Sequence, residues 1–484
     1  MTHQLTTEDV PRHHRLSDDG VKEIHNKSIT ILEETGIEVS HGEIRELLAD
    51  AGCDVDGEIV RFPRELVEES VDRAPSSFTL HGRGDDREVE VGGDDRVILP
   101  AGSAPNVVKY DEDRRPSTID DYEELLKLAH MAEVTDLSGG MLCEPNDVDQ
   151  SVKHLETIKR HILYSDKPFK GSSWGADRAR ASIEMAGIAN EDPDVERPYL
   201  ITVVNSVSPR MWDTKMCEGL YEYASHEQPV ILAPAVMAAA SGPATLPGAM
   251  ALANAEILSG VTIAQQISPG TPVVYGLPSS NVDVRYGAFS IGSPEGALFV
   301  SFAGQMADHY GVPSRAGGGL TDSKTLDDQA GTEAMFQLST TFFSGIDFVY
   351  HGAGILDSYS TVSPEKFVLD CDRIRYLTRY EEGYEITDDS FALDLIEEVE
   401  PGGHFLNKRH TLTHSRSEFL IPEVYDRKSY DTWAENGKKS SYERAHERVG
   451  ELLAEYERPT IDSDVQSELL AYVDEKRTEI LEGE

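Results

Sequence analysis

Residues 198–235 read PYLITVVNSVSPRMWDTKMCEGLYEYASHEQPVILAPA, and this stretch decides the fold. Pro198 opens an apolar, β-branched run that ends at Asn205, and Pro229 opens the next one, which runs to Ala235. Between them, Thr214 to His226 carries apolar residues at helical spacing. The hydrophobic period thus goes from two to 3.6 and back, which predicts a strand, a helix and a second strand lying parallel to the first. Proline suits the first residue of each strand, where a missing N–H is best tolerated.

The same unit repeats in both directions. Candidate strands are Val97 to Pro100, Leu137 to Cys143, Pro168 to Ser172, Pro198 to Asn205, Pro229 to Ala235, Pro272 to Gly276, Pro313 to Ala316 and Asp347 to Gly352. Helix-compatible segments alternate with them: Ile119 to Val134, Val152 to Tyr164, Ala176 to Ala189, Thr214 to His226, Leu246 to Ile267, Pro294 to Tyr310 and Asp328 to Phe343. Eight strands alternating with helices predict an α/β chain folded as a (β/α)8 TIM barrel over 96–360, with an open doubly wound sheet as the alternative.

The flanks read differently. Residues 1–95 predict an N-terminal α/β cap, with helices Gly20 to Thr35, His41 to Ala51 and Pro63 to Ala74, an extended piece Gly36 to Val39, and strands within Ser77 to Asp95. Residues 361–484 predict a C-terminal helical extension packed on the barrel. It holds helices Ser363 to Leu377, Asp389 to Val399, Ser441 to Tyr456 and Asp462 to Leu481, with a hairpin-like piece near Glu382 to Asp389.

Net charge is −44, with 88 acidic residues spread along the whole length. This balance repels nucleic acid and anionic membrane surfaces. It fits a halophile's salt-rich cytoplasm, where at molar salt the Debye length shrinks to about 3 Å. The polar, acidic start resembles no export signal, so a cytoplasmic location and no membrane association are expected. Cys53, Cys143, Cys217 and Cys371 stand singly, and the pair His410 and His414 lacks the H-E-x-x-H glutamate. No metal is expected on this chain.

In a (β/α)8 barrel the active site lies at the carboxyl ends of the strands. Asn205, Tyr275, Arg315 and His351 fall there. Arg315 begins a glycine-rich loop that runs through Asp322 and Gln329 to Glu333. Its glycines lack phosphate-loop spacing and its carboxylates would repel phosphate, so it reads as a substrate-mouth loop or as a solvated helix cap. Lys170, beside Gly171, is a weak Schiff-base candidate.

Several ordered blocks carry a family resemblance: Ile31-Leu-Glu-Glu-Thr-Gly-Ile-Glu38, Ala101-Gly-Ser-Ala-Pro105, the segment Leu246 to Gly260, Thr321-Asp-Ser-Lys324 with Asp328-Gln-Ala-Gly331, Pro401-Gly-Gly-His-Phe-Leu406 with His410-Thr-Leu412, and Tyr425-Asp-Arg427 ahead of Trp433. With these the chain resembles the trimethylamine methyltransferase superfamily over nearly its whole length.

The resemblance implies a barrel that takes a methyl group from an amine and passes it to the Co(I) of a corrinoid (cobalamin) carried by a partner protein. The founding members carry pyrrolysine and this chain has none, so it resembles the branch that demethylates quaternary amines such as glycine betaine. That branch needs mainly alignment, because a quaternary nitrogen leaves as a neutral amine. On this view His351 and Asp322 are the catalytic candidates, with His351 facing the corrinoid. Arg315 pairs with a betaine carboxylate, Tyr275 and Tyr359 face the ammonium, and Asn205, Gln329 and Glu333 line the substrate site. A non-catalytic quaternary-amine sensor and a tertiary-methylamine enzyme are the alternatives. Homo-oligomerisation is left open.

Overall fold

The computed structural model describes residues 12–84, 87–93 and 96–483. Seven parallel strands form the central sheet: β1 (Val97–Ile98), β2 (Phe169–Lys170), β3 (Leu200–Val204), β4 (Val230–Leu232), β5 (Val273–Gly276), β6 (Ser314–Gly317) and β7 (Phe348–Tyr350), in the spatial order β1-β7-β6-β5-β4-β3-β2. The prolines act as their chemistry predicts. Pro229, Pro272 and Pro313 offer only carbonyls, which accept from Thr202 (3.2 Å), Val230 (3.0 Å) and Tyr275 (2.8 Å) across the sheet.

Leu137 to Cys143 was expected as a strand, and the structure assigns none there. Its backbone nonetheless bridges the two edges of the sheet. Asp136 N–H donates to Ile98 O (2.9 Å) beside β1, Ser138 N–H to Pro168 O (3.0 Å), and Lys170 N–H of β2 donates to Gly139 O (2.7 Å). The Asp136 carboxylate also accepts from Ile98 N–H (2.7 Å), so a side chain supplies a bond that a regular ladder would take from a carbonyl.

The helices fall where the 3.6-residue period put them: α1 (Ile119–Met131), α2 (Lys153–Tyr164), α3 (Ala176–Ala189), α4 (Thr214–Ser225), α5 (Leu246–Ile267), α6 (Pro294–Tyr310) and α7 (Asp328–Phe343), followed by α8 (Pro364–Glu381). Asp213, Ser293 and Asp327 cap α4, α6 and α7 with side-chain oxygens, satisfying N–H groups that have no partner within the helix. The 22-residue α5 is apolar enough by length and composition to span a bilayer. Here it is core, with every residue from Ala249 to Gln265 buried.

An antiparallel hairpin, Phe78–His81 with Glu88–Val91, closes one end of the sheet. His81 N–H donates to Pro198 O (2.8 Å), and Phe78, Leu80 and Val91 join the interior cluster of Val97, Ile201, Ile231, Val274 and Phe348. Those contacts lie at the strand starts, so the carboxyl ends remain for a ligand. Residues 85, 86, 94 and 95 of the stretch expected as strands lie outside the described residues. The N-terminal segment packs a helix, Asp18–Thr30, against α5, and a π-helical turn, Ile31–Thr35, ends it at Gly36. Ile37–Val39 then pairs in parallel with Met211–Trp212. Beyond α8, the stretch expected as a hairpin is a turn leading into the short helix Asp388–Phe391. Helices Ser441–Glu455 and Ser463–Glu482 pack on α8 and α1, and on α2 and α3, respectively.

Candidate active site

Registered neighbours in a parallel sheet point to the same face. Lys170 pairs with Ile201, Arg315 with Phe348, and Gly317 with Tyr350, and Ile201, Phe348 and Tyr350 belong to the interior cluster. Lys170 and Arg315 therefore project inside, at the carboxyl ends. Asn205, two residues past Val203 on the same face, is exposed there.

Arg315 is 2% exposed, and its Nε and Nη1 have no hydrogen-bond partner among the described residues. Its guanidinium lies over the Tyr350 ring, 4.8 Å from the centroid. Burial draws its pKa down. An isolated buried cation costs several kcal/mol, and no carboxylate among the described residues pairs with this one.

His351 is 7% exposed, and its Nδ1 also lacks a hydrogen-bond partner among the described residues. Its φ of 59° is left-handed, unusual for a residue with a side chain. That turn breaks the in–out alternation, so the ring stacks on its neighbour Tyr350 (centroids 4.1 Å, 15°) instead of pointing away. Tyr359 covers the other approach, 4.7 Å from His351, and itself has a φ of 72°. Burial, then the cations Arg315 and Lys170, hold the His351 imidazole well below its usual pKa and so favour its neutral form. Tyr350 and Tyr359 are pushed up to about 12, chiefly by burial. Gly318 lets the strand ends meet, because a Cβ there would lie 2.7 Å from Gly352 Cα.

Lys170, which the sequence offered only as a weak Schiff-base candidate, lies beside these groups. Burial and the charge of Arg315 lower its ammonium to about 8. It also lines a cleft of ≈ 380 Å³ with Gly171, Ser172, Trp174, Tyr122 and His154. Tyr350 was missed as well, although counting back by one from His351 along an alternating strand gives it.

The acidic loop is tied into its surroundings by its carboxylates. Asp322 accepts from Ile291 N–H (2.9 Å), Gly292 N–H (3.2 Å) and the Ser358 hydroxyl (2.7 Å), and burial raises its pKa. Glu333 accepts from the Thr321 hydroxyl (2.6 Å), Asp322 N–H (2.8 Å) and the exposed Gln329 amide (2.9 Å). These three side chains tie the glycine-rich loop to α7 and to the loop before α6, and Asp322 reaches the centre through its field on Tyr359. Tyr275 lies elsewhere. It shares the outer face of β5 with Val273, is fully buried, and donates its hydroxyl to Asn254 of α5 (2.9 Å). The placement expected for it at the mouth is corrected by one residue of register, since the inward neighbours are Val274 and Gly276.

The comparisons with known proteins agree over the whole length. The family model described as Trimethylamine methyltransferase (MTTB) matches residues 1–481. The chain is 43% identical over 473 residues to the glycine betaine methyltransferase of Desulfitobacterium hafniense (strain Y51), covering 97% of this chain and 98% of that one. It is 29% identical over 469 residues to the proline betaine:corrinoid methyltransferase of Eubacterium limosum, covering 94% and 96%. Among solved structures, the Methanosarcina barkeri monomethylamine methyltransferase (MtmB) superposes with a TM-score of 0.52 at 11% identity over 94% of this chain and 97% of that one. A hydroxylamine complex of MtmB gives a TM-score of 0.56 at 12% identity, over 91% and 89%. At such identity these two speak for the fold alone, a parallel α/β sheet wrapped in helices. The family model and the full-length relatives together place this chain in the trimethylamine methyltransferase family.

Proposed function

We propose that this chain transfers a methyl group from glycine betaine, or a closely related carboxylated quaternary amine, to the Co(I) of a corrinoid carried by a partner protein. The observation that supports it best is Arg315, a buried guanidinium whose Nε and Nη1 have no hydrogen-bond partner among the described residues. A betaine carboxylate meets that guanidinium with two charge-assisted hydrogen bonds, and Lys170 adds a second positive charge nearby. Arg315 and His351 already engage the Tyr350 ring, and Tyr359, 4.7 Å from His351, supplies the aromatic ring for the ammonium head. The exposed Asn205 amide stands at the rim to orient the substrate.

The corrinoid is the methyl acceptor and hence a substrate of the reaction. In the transfer the N–CH3 bond breaks, its electron pair stays on nitrogen, and the product is a neutral tertiary amine. No proton moves at the reacting nitrogen, so neutral His351 acts by packing at the open end where the acceptor approaches. Asp322, with Glu333 and Gln329, positions the loop that follows Arg315. We further infer that 136–139 serves as the eighth stave of a closed (β/α)8 barrel, and that the acidic surface suits a salt-rich cytoplasm.

The test is methyl transfer in molar salt: protein and chemically reduced cobalamin are challenged with each quaternary amine and followed by the absorbance of methylated cobalamin. Glycine betaine is expected to react and trimethylamine to stay inert. Calorimetric binding of betaine without methylation would overturn the enzyme reading in favour of a sensor.

A further inference from the structure

Between α8 and Val424 the chain leaves the core. Its three short helices there, Asp388–Phe391, Leu393–Glu398 and Arg409–Glu418, bury no residue. Phe391, Leu393, Ile396, Leu406, Leu412, Phe419 and Ile421 are each more than half exposed. The excursion is nevertheless a built piece. Lys408 pairs with Glu398 (2.7 Å), and Arg379 of α8 donates to Glu418 O (3.2 and 2.9 Å). Its return is pinned by the Asp372 carboxylate, which accepts from Glu423, Val424 and Tyr425 N–H (3.0, 2.8 and 3.1 Å).

Those seven residues, all within positions 391–421, expose on the order of 900 Å², comparable to the ~800 Å² that each partner buries in a standard interface. Charge names the occupant. Residues 388–400 hold six acids and no base, whereas 401–421 hold Lys408, Arg409 and Arg416 against Glu418 alone. An acidic partner is repelled by the first half and a basic one by the second. A second copy, turned about a two-fold axis, sets each half against its opposite.

We propose that the 388–421 arm is the dimerisation surface of this protein, engaging the same arm of a second copy. Sedimentation velocity on the full chain in molar salt is expected to give twice the chain mass. The triple variant Leu406→Asp, Leu412→Asp, Ile421→Asp alters only exposed positions and is expected to weaken the dimer roughly a hundredfold or more, with unchanged circular dichroism. A second pair of variants guards against misfolding. Arg409→Glu with Arg416→Glu, which leaves the internal Lys408–Glu398 pair intact, is expected to weaken the dimer at low salt, and adding Asp394→Lys with Glu397→Lys to restore it. A monomeric wild type, or a dimer indifferent to both sets, overturns the proposal. None of these outcomes depends on methyl transfer.

Discussion

Two groups of buried cations lie close together in this molecule and are treated in opposite ways. On α8, Lys366 and Arg373 share Asp370 (2.6 and 2.5 Å); Lys366 also donates to Gly319 O (2.9 Å), and Asp370 accepts from Gly354 N–H (2.9 Å). Every charge in that group is answered, and its bonds hold the backbone just behind Arg315 and His351. At the strand ends, Arg315 and Lys170 form no ion pair among the described residues. The closed group is answered within the fold, while the open one is where the proposed substrate carboxylate would be bound.

The sharpest way to break this contrast is to open the closed group. Asp370→Ala leaves two buried cations without their anion and is expected to cost about 4 kcal/mol of folding stability, read by denaturant titration at constant salt. Unchanged stability would mean that solvent reaches α8 and that the cluster is not structural.

The reverse experiment empties the open group. Arg315→Met is expected to lower kcat/KM for betaine by about 3 kcal/mol, roughly a hundredfold or more. The melting temperature should hold or rise, because an unpaired buried charge has gone. A variant that melts earlier yet retains its methyl transfer would make Arg315 structural and remove the main support for the proposed substrate.

Lys170 separates the two roles through pH. Its folded value of about 8 lies below the ordinary 10.5. At pH below 8 it is charged folded or unfolded, so the burial penalty is present in full. Stability then rises from about pH 8 towards 10.5, because the unfolded chain keeps the proton longer. Lys167 and Lys366 are drawn to about 8 in the same way, so that slope is shared. Betaine affinity should move the other way, weakening above about pH 8 as the Lys170 ammonium is lost. Lys170→Met should abolish this limb and weaken binding about tenfold at neutral pH. A pH limb that survives in the variant would take Lys170 out of the site.

Much of this could be read from the chain because the strand-and-helix units announce themselves with an apolar run and a change of period, and five of the eight expected strands open on a proline. The 136–139 segment could not. It replaces a ladder bond with the Asp136 carboxylate and runs into Gly139 and Gly140, so it has the spacing of a strand without being one. Arg315 and His351 were legible from their place at strand ends, but the φ of 59° that turns His351 onto Tyr350 has no signature in the residue itself. The open valence of Arg315 was equally hidden, since a chain with 88 acids offers a partner to every cation on paper.

Tyr275 gives the smallest expected effect and tests the register directly. A strand end chooses between mouth and outer face by a single residue, and β5 sends Tyr275 outward, where its hydroxyl meets Asn254, which in turn donates to Ser28 (2.9 Å) and Tyr310 (2.8 Å). Tyr275→Phe keeps the ring and deletes one buried hydrogen bond, so stability should fall by about 1 kcal/mol. Neither kcat nor KM for betaine should move, because the ring lies between the sheet and α5. A change in KM with unaltered stability would place the phenol at the substrate and put the whole register of β5, including the inward face of Gly276 beside Arg315, one residue out.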